Sequence, residues 1–513
     1  MGLIPERKGL VNIMTGLTQG IVFLLYILVM IGIGFIFYKT KSHSDYILGG
    51  RGMNVWVTSM SAQASDMSGW LLLGLPGLAY ASALGATEAI WTAIGLAIGT
   101  YLNWLIVAKP LRKYTEIAGD SLTIPEFLQN RFHDKSALLR VIPSLFILIF
   151  FLIYTASAFV SGATLFQSVF DISYTTALII SIVIIVVYTF LGGFKAVCWT
   201  DLVQGIMMFL AVLFVGGVMY AQLSNPDVGA NFSDVDKFNL FDSEFGVMSI
   251  IGAIAWGLGY FGQPHILVRF MAIKDAKEIK PARRIAMVWV VVSLAAAVII
   301  GLFGKPYLAA AKVPLVQENN PETVFMTLVS FIFHPVVAAI LLSAILAAIM
   351  STADSQLLVT ASAISGDFYK AFIKKDASDK QLVWVSRLTI VAVAIIAGFF
   401  AANPESSVFE IVAHAWAGFG AAFGPIVLCS LFWKRCNAKG ALAGIISGGT
   451  VSLLWAYAGN IAGWFGITTL PRIFSLYEIV PGFIVSLIFI FAVSLATDAP
   501  SKEIVSEFET VHK

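Results

Sequence analysis

Apolar residues run along this chain in blocks of roughly 20, the length a helix needs to cross a bilayer, and short polar stretches between the blocks hold most of the charge. Thirteen spans can be drawn: 17–38, 57–80, 86–108, 141–167, 174–192, 196–221, 246–270, 284–304, 332–360, 383–402, 406–433, 438–459 and 475–497. A short surface helix is expected over Glu322 to Phe333, between spans 8 and 9. Two spans are poor helices. Span 2 carries four serines, Gln63 and Asp66 between Ser59 and Gly69, and span 7 packs three glycines and a proline between Trp256 and Pro264. Glycine and proline oppose a continuous helix, so both spans are expected to break near mid-membrane.

Broken helices in corresponding places are a sequence pointer to a transporter binding site, because unwound backbone frees carbonyls for a cation and helix N-termini for an anionic group. Matching spans 2 to 6 with spans 7 to 11 gives start offsets between 189 and 210 residues. Five is an odd number of crossings, so the second copy must enter from the opposite side and the repeat is inverted. The expected organisation is an N-terminal segment with helix 1 (1–45), a first five-helix repeat (46–221), its inverted copy (222–433), and two further helices with a tail (434–513).

Composition strengthens this picture. The 513 residues are 58% hydrophobic and 12% charged, against about 25% charged in soluble domains, which excludes an ordinary soluble enzyme. Net charge is only +2, but placing the N-terminus outside assigns 26 of the 32 Lys/Arg to the inner side. Positive residues favour the cytoplasmic side, so an outside N-terminus and a cytoplasmic C-terminus are expected. The loop between spans 6 and 7 agrees, with Asp227, Asp234, Asp236, Asp242 and Glu244 against a single Lys237. No cleavable leader is expected in the first 16 residues, because the first apolar block is too long for a signal sequence. Cys198, Cys429 and Cys436 have no pairing or metal spacing.

Few groups could do chemistry. Asp66 lies about ten residues into span 2, where a carboxylate needs a partner; it caps amides of the broken helix, helps to hold a cation, or does both. In span 9, Ser351, Thr352, Asp354 and Ser355 form a polar island, with Ser351, Asp354 and Ser355 on one helical face. Alone, such hydroxyls would bond back to their own helix; beside an unwound span they offer oxygen to a hard cation. Trp256 and Tyr260, four apart beside the break in span 7, suit the wall of a small amphiphilic pocket near Tyr154 of span 4. Asp201 is expected as a first-turn acid of span 6, and His265 and His414 as satisfied structural residues. There is no Walker loop, nucleophile elbow, zinc motif or basic nucleic-acid stripe. An ATP-driven pump lacks a domain to bind nucleotide, and a membrane enzyme lacks a nucleophile and base.

Four segments carry a resemblance: Ser65 to Trp70 (SDMSGW), Gly192 to Asp201 (GGFKAVCWTD), Trp256 to His265 (WGLGYFGQPH) and Met350 to Thr352 (MST). Together they resemble the sodium/solute symporter family from about Tyr46 to the last span. The resemblance implies an all-α membrane protein of about thirteen helices in the 5+5 inverted-repeat, LeuT-like fold, working by alternating access as a secondary transporter. It implies Na+ as coupling ion, L-proline as the solute carried inward, and a bacterial plasma (inner) membrane, with pantothenate, a sugar or a carboxylate as the alternative solute. Its partners are thus proline, sodium and the lipid bilayer, with no nucleic acid. By position it implies sodium ligands at the carbonyls of Ala64, Met67 and Ala348 and the hydroxyls of Ser351 and Thr352. Substrate contacts map onto Ser65, Ser68, Gly69, Tyr154, Trp256, Tyr260 and Pro264. Asp66 and Arg51 match positions needed for sodium-dependent transport, and Asp201 belongs with them; Asp354 is an acid outside the family pattern that leaves ion stoichiometry open.

Overall fold

The computed structural model describes residues 5–37, 42–223, 239–316, 320–467 and 469–512. Among these residues the chain is helical, and the β pairing is an isolated parallel bridge between Met53 and Ile273. Each of the thirteen expected spans falls on a helix or on a broken run of helices. Nine helices among the described residues are long and apolar enough to cross a membrane, ten if Ala438–Ala456 and Ala458–Trp464 count as one span bent by 66°. Spans 2, 5 and 7 miss that criterion because their helices are broken or short. The expected surface helix is found as the turn Pro321–Thr323 followed by Val324–Ile332. Of the acids expected before span 7, Asp227, Asp234 and Asp236, with Lys237, lie outside the described residues.

Several helices outrun their apolar blocks, since the hydrophobic pattern marks only the part in lipid. Span 3 passes through a π-helical turn at Asn103–Val107 into the amphipathic Ala108–Ile117. Span 9 extends from Pro335 to Ser362 and on through Ala363–Ile373. Short polar helices at His43–Leu48, Ile124–Arg131 and Lys502–His512 gave no apolar signal and were not expected.

Exposure sorts the spans by position. Span 1 and span 10 present Leu24, Leu28, Leu388 and Phe399 outward, as lipid-facing helices do. Span 9 is buried on all sides from Leu341 to Leu358, the property of a helix at the centre of a bundle. It is against this central helix that span 2 breaks. Val55–Met67 starts at Asn54, whose side chain accepts from the Val57 amide, and stops at Ser68 with φ 46° and ψ −167°. A 3-10 turn at Gly69–Leu71 and the helix Gly74–Ala81 complete the span. Span 7 runs as Gly246–Ala255, a seven-residue 3-10 segment Trp256–Gly262, an extended Gln263, and a second helix Pro264–Ala272 that restarts with proline at its first turn.

Candidate functional site

The last four carbonyls of a helix have no intrahelical donor. In the first half of span 2 these belong to Ala64, Ser65, Asp66 and Met67, and two of them are met by side chains from other spans. The Ser351 hydroxyl donates to the Ala64 carbonyl at 2.8 Å, and Thr352 reaches the same oxygen at 3.3 Å. Ser351 also lies 3.2 Å from the carbonyl of Ala348. Thus Ala64, Ala348, Ser351 and Thr352, four of the five expected sodium ligands, bring their oxygens together, and the fifth, Met67, is buried at the end of the same half-helix. The second carbonyl, that of Asp66, accepts from the Tyr154 hydroxyl at 3.2 Å.

Asp66 itself accepts from the Tyr260 hydroxyl at 2.6 Å. This corrects the reading of Asp66 as a cap for broken-helix amides: it precedes the break, where the helix presents carbonyls, and the Trp70 amide beyond the break is taken by Ser68 Oγ at 3.1 Å. The Asp66–Tyr260 bond joins the two broken spans directly.

Around that bond is a small cavity of about 10 Å³, lined by Asp66, Met67, Trp70, Leu96, Tyr154, Trp256, Tyr260, Val412 and Trp416. Tyr154, Trp256 and Tyr260, expected as substrate contacts, are therefore together. The other four are not in its lining. Ser65 donates back to the Ala62 carbonyl at 3.3 Å; Ser68 forms the break; Gly69 leaves room for the Ser161 side chain of span 4, which a Cβ would strike. Pro264 lines a separate small apolar cavity with Phe194, Val268 and Leu358, because the extended Gln263 carries the chain away from the Tyr260 wall.

Trp416 of span 11 was not anticipated and fixes the span 7 break. Its indole N–H donates to the Trp256 carbonyl at 2.7 Å, its own carbonyl accepts from Gln263, and its ring fills the space where a side chain at Gly259 would be. Trp256 closes the cavity above. It lies 5.5 Å from Trp70, 5.3 Å from Phe409 and 5.3 Å from Tyr477, ring centre to ring centre. On the far side of this aromatic lid is a vestibule of about 570 Å³ that also reaches Trp256 and carries Glu88, Glu410 and Glu478. There His414 pairs with Glu478 at 2.6 Å, as expected of a satisfied residue.

His265 differs: both ring nitrogens are buried without a hydrogen-bond partner among the described residues, so its reading as satisfied fails. It packs against Phe151 and Tyr154, and apolar rings offer nothing to bond.

Asp201 is also corrected. Span 6 begins at Phe194, which puts Asp201 two turns in and fully buried. It forms an ion pair with Arg269 at 3.2 Å and accepts from Ser61 at 2.6 Å. Arg269 further donates to Ser355 and to the His265 carbonyl, and Ser355 reaches Asp354 at 3.3 Å. The network ties spans 2, 6, 7 and 9. Arg269, assigned above to the inner positive charge, is thus inside the bundle.

Arg51 stands apart from these groups. It pairs with Asp120 at 2.8 Å and donates to the carbonyls of Met271 and Ser121 at 2.7 and 2.9 Å. One bridge residue away, Met53 exchanges backbone hydrogen bonds with Ala272 and Lys274. The start of span 2 and the end of span 7 are thereby clasped together.

Residues 46–448 match the model of the sodium:solute symporter family. The osmoregulated proline transporter OpuE of Bacillus subtilis is 46% identical over 483 residues, covering 93% of this chain and 94% of that protein. The sodium/proline symporter of Escherichia coli is 46% identical over 497 residues, covering 95% of each. A Na+-coupled sialic acid symporter in a substrate-bound outward-open state superimposes with a TM-score of 0.76 at 21% identity, over 94% of this chain and 99% of that one, which shows a shared fold.

Proposed function

The chain belongs to the sodium:solute symporter family, and on that footing we propose that it carries L-proline into the cell together with sodium by alternating access. It is a secondary active transporter and not an enzyme, and a multi-pass protein of the plasma membrane. The finer organisation follows the sequence: thirteen crossings, an outside N-terminus, a cytoplasmic C-terminus, and inverted repeats over 46–221 and 222–433. In that orientation the vestibule of about 570 Å³ faces outside, and the Arg51 clasp shuts the cytoplasmic side.

One observation carries the reading: hydroxyls of Ser351 and Thr352 on the central helix meet the freed Ala64 carbonyl at the break of span 2. Sodium, as cargo, takes oxygen ligands, and these oxygens with the carbonyls of Ala348 and Met67 suit it. Bound there, it would tie span 9 to the half-helix that holds Asp66, and Asp66 holds Tyr260 in the cavity wall. Ion and solute then promote each other's binding by the same factor, as linkage requires. The ring of proline packs against Trp256 and Tyr260, with Tyr154 beside them, while Ser65, Ser68, Gly69 and Pro264 shape the two breaks. Asp201 and Asp354, through Arg269 and Ser355, couple spans 6 and 9 to span 7, and release of Arg51 accompanies inward opening.

The test is uptake of labelled proline into proteoliposomes. Saturable uptake that requires an inward sodium gradient and stops when the gradient collapses is expected; uptake unchanged after replacing sodium by choline at clamped pH overturns sodium coupling.

A further inference from the structure

A proline zwitterion brings two charges into the small cavity, and the lining has clear means for only one of them. A secondary ammonium can face the Asp66 carboxylate and the freed carbonyls of span 2. For the carboxylate the lining holds no Lys, Arg or His, so neutral donors must serve. Most are engaged: Tyr260 donates to Asp66 Oδ2, Tyr154 to the Asp66 carbonyl, and Trp416 to the Trp256 carbonyl. Trp70 is different. The residue is 3% exposed, and its indole Nε1–H is buried without a hydrogen-bond partner among the described residues.

Buried donors are paired as a rule, and an exception needs a reason. Here the ring has no freedom to find a partner by turning. It is stacked against Phe409 at 5.9 Å and meets Trp256 at a tilt, ring centres 5.5 Å apart. Its backbone amide is held by Ser68 Oγ. Gly74 lies against the edge next to Nε1, where a Cβ would come within 3.0 Å of Cδ1. The donor is fixed in position before any ligand arrives, and a fixed, unpaired donor on a residue that lines the cavity suits an anionic acceptor.

We propose that the Trp70 indole N–H donates a hydrogen bond to the carboxylate of the transported amino acid, and so selects carboxylate-bearing substrates. This rests on the proline reading above and deepens it, adding a residue that sequence reasoning left among the packing aromatics.

The test replaces one atom. β-(3-Benzothienyl)alanine has the shape of tryptophan with sulfur in place of N–H, and it is inserted at position 70 of the full chain; Trp70→Phe is made beside it. Purified protein at saturating sodium is titrated with L-proline and with pyrrolidine, which keeps the ring and the secondary ammonium but has no carboxylate. Loss of a hydrogen bond to a charged group predicts proline affinity about tenfold weaker or more, pyrrolidine affinity unchanged, and preference for proline reduced by the same factor. A benzothienyl variant that binds proline as tightly as the unmodified protein overturns the proposal, as does an equal loss for both ligands. Should Trp70→Phe fail to accumulate, the benzothienyl variant decides alone, since it keeps the stack and the fit against Gly74. If the unmodified protein shows no sodium-dependent proline binding, the transport reading falls and this proposal with it.

Discussion

Span 2 and span 7 both give up helical geometry inside the bundle, and they do it by opposite means. Span 2 breaks at one residue, Ser68, which holds a positive φ of 46° without being glycine. Its freed carbonyls are met by hydroxyls: Ser351, Thr352 and Tyr154. Span 7 loosens over the seven residues Trp256–Gly262, with none of the glycines in that segment in the positive-φ region. Those glycines serve close approach instead, Gly257 against Gly95 and Gly99 of span 3, Gly259 against the Trp416 ring, and Gly262 against the Phe419 backbone. One break is polar and presents oxygen; the other is aromatic and presents surface. In the proposed reading the first holds the ion and the second the solute, and each substitution tests that division from one side.

The largest effect is expected at the polar break. Removing a hydroxyl that ligates an ion or bonds to a buried carbonyl costs about 1–3 kcal/mol, so Ser351→Ala/Thr352→Ala should raise the sodium concentration for half-maximal proline uptake by roughly thirtyfold or more. Proline affinity should fall mainly at low sodium and recover at high sodium, because the coupling is reciprocal. Proline binding by the purified double variant across a sodium titration is the measurement, and a curve that overlays the unmodified protein's removes span 9 from the sodium site.

Next is the aromatic break. Trp256→Ala and Tyr260→Ala should each weaken proline binding by about 1–3 kcal/mol at saturating sodium, with a smaller change in sodium affinity for Trp256→Ala. Tyr260→Ala is the sharper probe, because it also strips Asp66 of its hydrogen bond. If its sodium affinity falls as far as its proline affinity, the two breaks are one site and the division fails.

These two breaks were legible to different depths. Hydroxyls in an apolar helix stand out against their background, so Ser351 and Thr352 could be read from composition, and the glycines and Pro264 marked span 7 as broken. What sequence could not supply was direction. Pro264 lies four residues from Tyr260, yet Gln263 turns the chain between them and sends the two into different cavities. Asp201 read as a first-turn acid because the start of span 6 was drawn too late, and its pairing with Arg269 is a contact between spans that periodicity does not carry. Trp70 and Trp416 sit in runs of apolar residues, where an aromatic signals packing; only the accounting of their N–H groups separates them, one bonded and one free.

Packing at the aromatic break gives a stability prediction of similar size. Gly259→Ala puts a methyl group into the Trp416 ring, and overpacking of this kind costs about 1–3 kcal/mol. Gly217 of span 6 is the control, since a Cβ there meets nothing within 4 Å; in a helix interior Gly217→Ala should be neutral or gain up to about 1 kcal/mol. Thermal unfolding in detergent ranks the two. Equal melting temperatures would mean that the span 7 glycines are there to unwind the helix and not to admit span 11.

The smallest effect belongs to Ser68, and there the sign is informative. Its φ of 46° with ψ −167° lies in a region that glycine alone visits easily, at a cost of about 1–3 kcal/mol for another residue. Ser68→Gly removes that strain but also loses the Oγ bond to the Trp70 amide, worth about 0.5–1.5 kcal/mol, and adds flexibility to the unfolded chain worth about 0.5–1 kcal/mol. The terms nearly cancel, so stability should change by less than about 1 kcal/mol. Ser68→Ala loses the same hydrogen bond and keeps the strain, so it should be the less stable of the two. Thermal unfolding without proline keeps the comparison free of any contact Ser68 makes with solute. A Ser68→Ala protein that melts with or above Ser68→Gly would show that the polar break is held by its hydroxyl partners on spans 4 and 9, with no backbone tension at the break itself.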